Sequence, residues 1–435
     1  MKGGFSYEEA ADRCCPLLSG DLIMEILERL PVKSLLRFKS VSKAWQQLIL
    51  NPQFIAKHLI LQKKKADVNY LHCYHHVPHC RNDIFTRYPA DHNKIGISLI
   101  SKENNHNQNS LFSTRVLPLF YHDREEVSIV GSYNGLVCIR FSKKRGDGIP
   151  PSFGLWNPAT RRFKVLPSPK LIYEPFSVGF SYVPSTGCYK LVIVLVFRID
   201  MQGDNNGRYI TRVQVLDVGH DRWREVLRQG QDELSHGKPF NIFDSPVVVN
   251  GCLYWLGSTI GDEGSSRSMV WFDIEKEVFF RQTLLSYPFD DGFNFFNTRC
   301  KLDIFEENLA MFVCPGSDSD SDELIYDEEE ESRALQVSSQ VWIYEEANRT
   351  WKKFFTFGPL PSAHLPPCGF WGNREIIIRP NEIVYYNSIT DEVAHAYGLH
   401  AYLYNPDSKE RTNSFCRERR CNLDFYPYVE SLVRI

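Results

Sequence analysis

Within one short stretch, Cys73, His75, His76, His79 and Cys80 are of the types that bind zinc, since thiolate sulfur and imidazole nitrogen are its preferred ligands. Their spacing fits no common zinc finger. Alternation of side chains across a strand such as NYLHCYHH accounts for two of them without an ion, so the chain is read as having no metal site and no cofactor. Nucleophilic and phosphate-binding patterns are missing as well: there is no GxSxG, no HExxH, no Walker-type GxxxxGK[ST] and no GxGxxG after a strand. Gly257, Gly261 and Gly264 read as turn residues of a polar hairpin-like loop rather than as a phosphate cradle. Ser317, Ser319 and Ser321 stand in the acidic run GSDSDSDELIYDEEEE, where acid-directed kinases find their substrates and where phosphates deepen an existing charge. The composition of that run is low in complexity, and it reads first as a disordered loop, residues 316–333, between two strands. With no catalytic set, the side chains point to binding rather than to an enzyme.

The elements that present those side chains fall into two zones. From Asp21 onward Leu22, Ile23, Ile26, Leu27 and Leu30 recur at helical spacing, with Glu25, Glu28 and Arg29 on the other face. Asp21 is placed as N-cap and Pro31 forbids continuation past Leu30. Val32, Leu35, Leu36 and Phe38 form a second apolar set. Val41, Ala44, Trp45, Leu48 and Ile49 form a third, and Asn51 before Pro52 restarts a short helix. Burying the five apolar side chains of the first helix and ordering its backbone are opposing terms of comparable size, so a unit this thin needs another protein surface. Lys33, Arg37, Lys39 and Lys43 make a basic strip beside it, a solvated face that can also steer an acidic partner.

This zone, residues 17–61, resembles an F-box: the run DLIMEILERLPVKSLLRFKSVSKAWQQLILNPQF is similar throughout, and LPVKSLLRFKSVSKAW is close to the large F-box families of plants. Such families carry proline after the opening leucine, where this chain has Ser19 after Leu18. The resemblance implies docking to a Skp-type adaptor and, through it, to the cullin and RING subunits of an SCF ubiquitin ligase. By position it implies Leu18, Leu22, Ile26, Leu30, Pro31, Val32 and Leu35 as adaptor contacts, with Trp45 in the core of the module.

Residues 1–16 are expected to be disordered and the lysine-rich 62–66 to be a linker. Beyond them, residues 67–435, helical periods vanish. Short runs rich in Val, Ile, Phe, Tyr and Trp alternate with Gly, Pro, Asn and Asp turns, which predicts a large all-β domain of mostly antiparallel strands. Leu191 to Phe197 reads as a buried strand, and Asn134-Gly135 and Asn250-Gly251 as tight hairpin turns. Every tryptophan except Trp45 lies here, often leading the second strand of a pair, as Trp223 and Trp351 do. A repeated strand, turn and aromatic-led strand suits antiparallel propeller blades or a large sandwich, with a period too irregular to count. WNPATRRFKVLP, VGFSY with YKLV, DRWRE, NGCLYW, WKKFFTFGPL, FWGN and YVESLV, in that order, resemble the F-box-associated interaction domain, a kelch-like or propeller-like fold. The resemblance implies capture of a protein target; relatives include the S-locus F-box proteins, whose particular role does not follow from it.

The 50 basic and 53 acidic side chains nearly cancel, which argues against nucleic acid or an anionic membrane as partner. The N-terminal residues lack a signal-peptide pattern, and the cysteines are scattered without a CxxC pair. An intracellular protein, cytoplasmic or nuclear, with reduced and mostly buried thiols is expected. The reading is a substrate-recognition subunit; the alternatives are an enzyme on a propeller-like scaffold, which requires convergent titratable groups in a polar pocket near an axis, and a lectin-like or scaffold protein without ubiquitin transfer.

Overall fold

The computed structural model describes residues 19–64, 69–76, 94–103, 111–117, 126–142, 150–169, 176–199, 208–220, 222–226, 240–261, 264–284, 298–315, 338–358, 367–372, 375–378, 383–387, 392–396, 402–409 and 420–435. Residues 1–16 and the acidic run 316–333 lie outside them.

Four helices come first. Ser19 Oγ accepts from Leu22 N at 3.4 Å, so α1 (Gly20–Arg29) starts ahead of Asp21. Asp21, expected as the cap, sits instead in the first turn, where its carboxylate faces the positive end of the helix. Pro31 ends α1 and precedes α2 (Val32–Phe38). Ser42 Oγ caps α3 (Lys43–Ile49) through Trp45 N, which leaves Val41 outside the helix and exposed rather than on its apolar face. Asn51 Oδ1 accepts from Gln53 N at 2.8 Å and opens α4 (Pro52–Lys63), which is not short: it runs into the stretch read as linker. Ile23, Met24, Leu27, Val32, Leu35, Leu48, Ile49 and Phe54 are buried together between these helices. His58, also buried, donates from Nε2 to Leu30 O at 2.9 Å and so satisfies a carbonyl left open at the end of α1.

The strands then form six antiparallel blades. The first holds β1 (Asn69–His76), β2 (Lys94–Glu103) and β3 (Leu111–Leu117). The second holds β4 (Glu126–Tyr133), β5 (Leu136–Ser142), β6 (Ser152–Asn157) and β7 (Arg162–Val165). In the third are β8 (Phe176–Val183), β9 (Cys188–Ile199), β10 (Arg208–Asp217) and β11 (Arg224–Glu225). The fourth comprises β12 (Phe240–Val249), β13 (Cys252–Gly261), β14 (Gly264–Asp273) and β15 (Val278–Thr283). The fifth comprises β16 (Thr298–Phe305), β17 (Asn308–Pro315), β18 (Ser339–Glu345) and β19 (Thr350–Phe357). The sixth joins β20 (Gly369–Trp371), β21 (Glu375–Ile378) and β24 (Tyr402–Tyr404), with the hairpin of β22 (Ile383–Asn387) and β23 (Glu392–Ala396) inserted in sequence between the last two. The last strand, β25 (Arg420–Tyr428), returns to the first blade and pairs with β1, so residues from both ends of the domain share one sheet.

Closure of the ring is carried by apolar packing. Each interface between neighbouring blades has its own buried cluster: Val127 and Ile139 with Leu71 and Ile97 between the first two, and Leu191 and Ile193 with Leu136 and Leu155 at the next. The third to fifth interfaces centre on Trp255, Met311 and Phe312 in turn. The sixth brings Tyr70 and Ile100 against Trp371 and Leu403, and Tyr70 Oη donates to Phe370 O at 2.9 Å. That buried phenol is held strongly protonated by desolvation. Burial likewise pushes the Cys73 and Cys314 thiols up to about 12, so these free cysteines carry no thiolate near neutral pH.

The turns explain the irregular period. Asn134-Gly135 and Asn250-Gly251 both adopt positive φ, as tight hairpins demand. Glu306-Glu307 does the same without either residue type. Longer turns end on a single left-handed residue, Arg161, Glu277 or Arg349, just before an outer strand begins. Gly257, read as part of a loop, pairs with Ser268 inside the β13–β14 ladder, and Gly261 pairs with Gly264 at its end.

Two tests of this framework follow from local chemistry. Glu277, on a turn of the fourth blade, takes bonds from Arg224 and Lys190 of the third, the latter at 2.6 Å, and the Arg224 guanidinium holds its carboxyl below the usual range. A depressed carboxyl stabilises the fold above its unfolded pKa, about 4.5, and that contribution is lost as pH falls through the folded value. Thermal melting followed by circular dichroism therefore declines below about pH 4.5 in the wild type, more steeply than in Glu277→Gln. The second test compares two glycines. Gly251→Ala meets nothing within 4 Å and bears only left-handed strain, about 1 to 2 kcal/mol. Gly135→Ala adds a Cβ 2.3 Å from Ser431 Oγ, and denaturant melts are expected to show it the more destabilised.

Candidate functional site

On α1, Ile23, Met24 and Leu27 turn into the helical core, while Leu22 and Ile26, one turn apart, stay 50% and 52% exposed. A helix with apolar residues on both sides of its axis has filled its own core and still presents a face. Pro31 is exposed and Leu30 half-buried beside it. Ile60 on α4 is a further exposed apolar residue, which the sequence reading passed over. Charges frame this face: Glu25 pairs with Arg29 at 2.7 Å, and Lys57 lies 3.9 Å from Glu28.

The residues assigned by position to adaptor docking are thus divided. Leu22, Ile26 and Pro31 are exposed, and Leu30 is partly so. Val32 and Leu35 are 1% and 0% exposed and pack with Ile23 and Leu27, so in this chain they hold the helices together rather than present a surface. Three residues apart on α2, both fall on one face of the helix, and that face turns inward. Leu18 lies outside the described residues. Trp45 is half-buried with its ring centroid 5.4 Å from that of Phe38.

The other candidates resolve differently. Cys73 is buried in the first interblade cluster and donates from Sγ to Val127 O at 3.4 Å. His75 and His76 complete the same strand, paired with Ile95 and Lys94, whereas His79 and Cys80 lie outside the described residues. Among the described residues no group of three His, Cys, Asp or Glu is placed to hold a metal. Ser317, Ser319 and Ser321 are also outside. Near the axis, the inner strands line a cavity of about 240 Å³ whose walls include Val130, Phe180, Val247, Leu302 and Tyr426. Its Lys301 and Asp303 serve the backbone: Lys301 Nζ donates to Cys368 O at 2.9 Å, and Asp303 accepts from Phe370 N at 2.7 Å.

A second feature had no sequence signal. After β25 the chain continues through residues 429–435 along the underside of the second blade and into the helices. Leu432 is buried in the helical core, and Arg434 donates to Leu50 O at 3.0 Å.

Comparison with known proteins gives this arrangement its context. A family model described as "F-box associated beta propeller domain" matches residues 92–435, and one described as "F-box domain" matches residues 16–57. An Arabidopsis thaliana protein named for an F-box is 27% identical over 301 residues, 68% of this chain and 61% of that relative, so this chain spans less than two thirds of its length. Another, named for an F-box and kelch repeats, is 23% identical over 405 residues, 87% of this chain and 83% of its own. Among solved structures, a Bombyx mori β-fructofuranosidase of family GH32 is 9% identical with a TM-score of 0.34, over 70% of this chain and 88% of its own, a likeness too slight to bear on activity.

Proposed function

The chain belongs to the family defined by the F-box-associated β-propeller domain and carries an F-box domain ahead of it, and on that premise we propose that it is the substrate receptor of an SCF-type E3 ubiquitin ligase. The F-box holds a Skp-type adaptor and, through it, cullin and RING subunits; the propeller holds a protein target; ubiquitin transfer belongs to the other subunits. The observation that carries this reading is the exposed pair Leu22 and Ile26 on a helix whose core is already complete. Apolar residues left out of a finished core mark a surface awaiting a protein.

The helices sit at the end of the propeller where β4 turns into β5 and β6 into β7, as the contacts of Leu432 and Ala159 with the helical core require. Target capture is assigned to the opposite end, which the helices leave open. Work inside the cell, beside the other ligase subunits, goes with this role.

The test is reconstitution. The purified chain, mixed with a Skp-type adaptor and a cullin–RING pair, is expected to elute from size exclusion as one complex containing all of them. Separate elution of the chain and the adaptor at micromolar concentration sinks the reading.

A further inference from the structure

We propose that residues 429–435 are a fastener that fixes the orientation of the F-box helices on the propeller, and thereby positions a captured target relative to the ligase; the second clause rests on the function proposed above.

The segment is gripped on both sides. On the propeller side, Asn157 Nδ2 donates to Ser431 O at 3.1 Å and to Val433 O at 2.8 Å. Asn157 is fully buried, and its Oδ1 accepts from Thr160 N at 3.1 Å, so one side chain shapes the β6–β7 turn and clamps the segment. Ser431 Oγ donates to Asn134 O at 2.7 Å in the β4–β5 turn, and Glu430 pairs with Arg115 of β3 at 3.1 Å. Val433 and Ile435 pack on the cluster between the second and third blades. On the helical side, Leu432 enters the F-box core and Arg434 bonds the last turn of α3. From Ser431 to Ile435 alternate residues thus face opposite ways, which is how an extended segment joins two bodies.

Among the described residues no helix shares a broad contact with a strand of the propeller. Contacts across the junction also include Ala159 against the helical core and Lys63 Nζ 5.3 Å from the centroid of the Tyr133 ring. Burial first, and then the nearby charges of Arg162 and Arg434, lower the Lys39 pKa at the junction. An interface with a like-charged margin and few broad contacts depends on the segment that crosses it.

The experiment uses the full chain bound to its adaptor and measures backbone amide exchange by mass spectrometry. Asn157→Asp keeps the acceptor for Thr160 N and sets a carboxylate against the two carbonyls it formerly donated to. A second variant stops after Tyr428. In both, amides of the β6–β7 turn and of the end of α3 are expected to exchange at least tenfold faster, while those of α1 and of β12 to β19 keep their protection. Unchanged exchange at the junction in both variants overturns the proposal. Loss of protection throughout the helices also overturns it, because the segment then belongs to the fold of the F-box. Adaptor binding by the wild type is measured first by size exclusion: its absence refutes the ligase reading, and exchange is then followed on the chain without adaptor, which judges the fastener alone.

Discussion

The double substitution Leu22→Asp with Ile26→Asp is expected to weaken adaptor binding on the order of 100-fold or more while leaving the chain folded. Both side chains are half in solvent and neither belongs to the helical core, so the folding cost of the pair stays within about 1 kcal/mol. Binding is another matter. Two aliphatic side chains, already half out of solvent, gain about half of the 1.5 to 3 kcal/mol of full burial each when an interface covers them. Losing both, with carboxylates left desolvated in their place, weakens the complex on the order of 100-fold or more. Isothermal calorimetry with a Skp-type adaptor reads the loss, and circular dichroism reads the intact fold. The contrasting pair is Val32→Asp with Leu35→Asp, which buries charge inside the module and is expected to unfold the helices first.

The second large effect concerns ring closure. A chain that stops before Arg420 lacks β25, and with it the whole ladder to β1. Tyr428 and Tyr426 leave the cluster between the first two blades, Phe425 leaves that between the sixth and the first, and the bond from Tyr426 Oη to Ile129 O at 2.7 Å is gone. The first blade then shows an unpaired edge to the axis. Net stabilities of about 5 to 15 kcal/mol do not survive the loss of a strand that packs at two interfaces. Such a chain is expected to lack a cooperative thermal transition and to aggregate through that edge. Tyr426→Phe, which removes the one hydrogen bond and keeps the ring, is expected to melt cooperatively with a loss of about 1 kcal/mol.

Much of this architecture is legible in the sequence where local chemistry decides it. Pro31 and Asn51-Pro52 mark helix boundaries, and Asn134-Gly135 and Asn250-Gly251 mark hairpins, because each residue acts through its own backbone. Leu191 to Phe197, read as a buried strand, sits within β9, with Leu191 to Leu195 buried. What escapes the sequence is decided by distant partners. Blades cannot be counted along a chain when one is assembled from β25 and β1, or when β22 and β23 interrupt another. Glu306-Glu307 turns as Asn-Gly does, although neither residue announces it.

The candidate surface is legible only to the same depth. Helical spacing puts Leu22, Ile23, Ile26 and Leu27 on one broad apolar stripe, and it takes α4 and the rest of the module to divide that stripe into an inner and an outer half. Position within the F-box resemblance carried Val32 and Leu35 to the surface; packing returns them to the interior. Leu432 shows the limit most clearly, since nothing in the run YVESLV tells that it enters a core assembled from residues at the other end of the sequence.

Ubiquitin transfer tests most directly whether the chain joins a target to a ligase through the outer face of α1. A protein retained by the propeller is incubated with the chain, adaptor, cullin and RING subunits and a ubiquitin-charged conjugating enzyme, and its modification is followed on gels. With the wild-type chain the retained protein acquires ubiquitin, and with Leu22→Asp and Ile26→Asp it is still retained but stays unmodified. Equal modification with both chains, or none with the wild type in a complex that has assembled, contradicts the account.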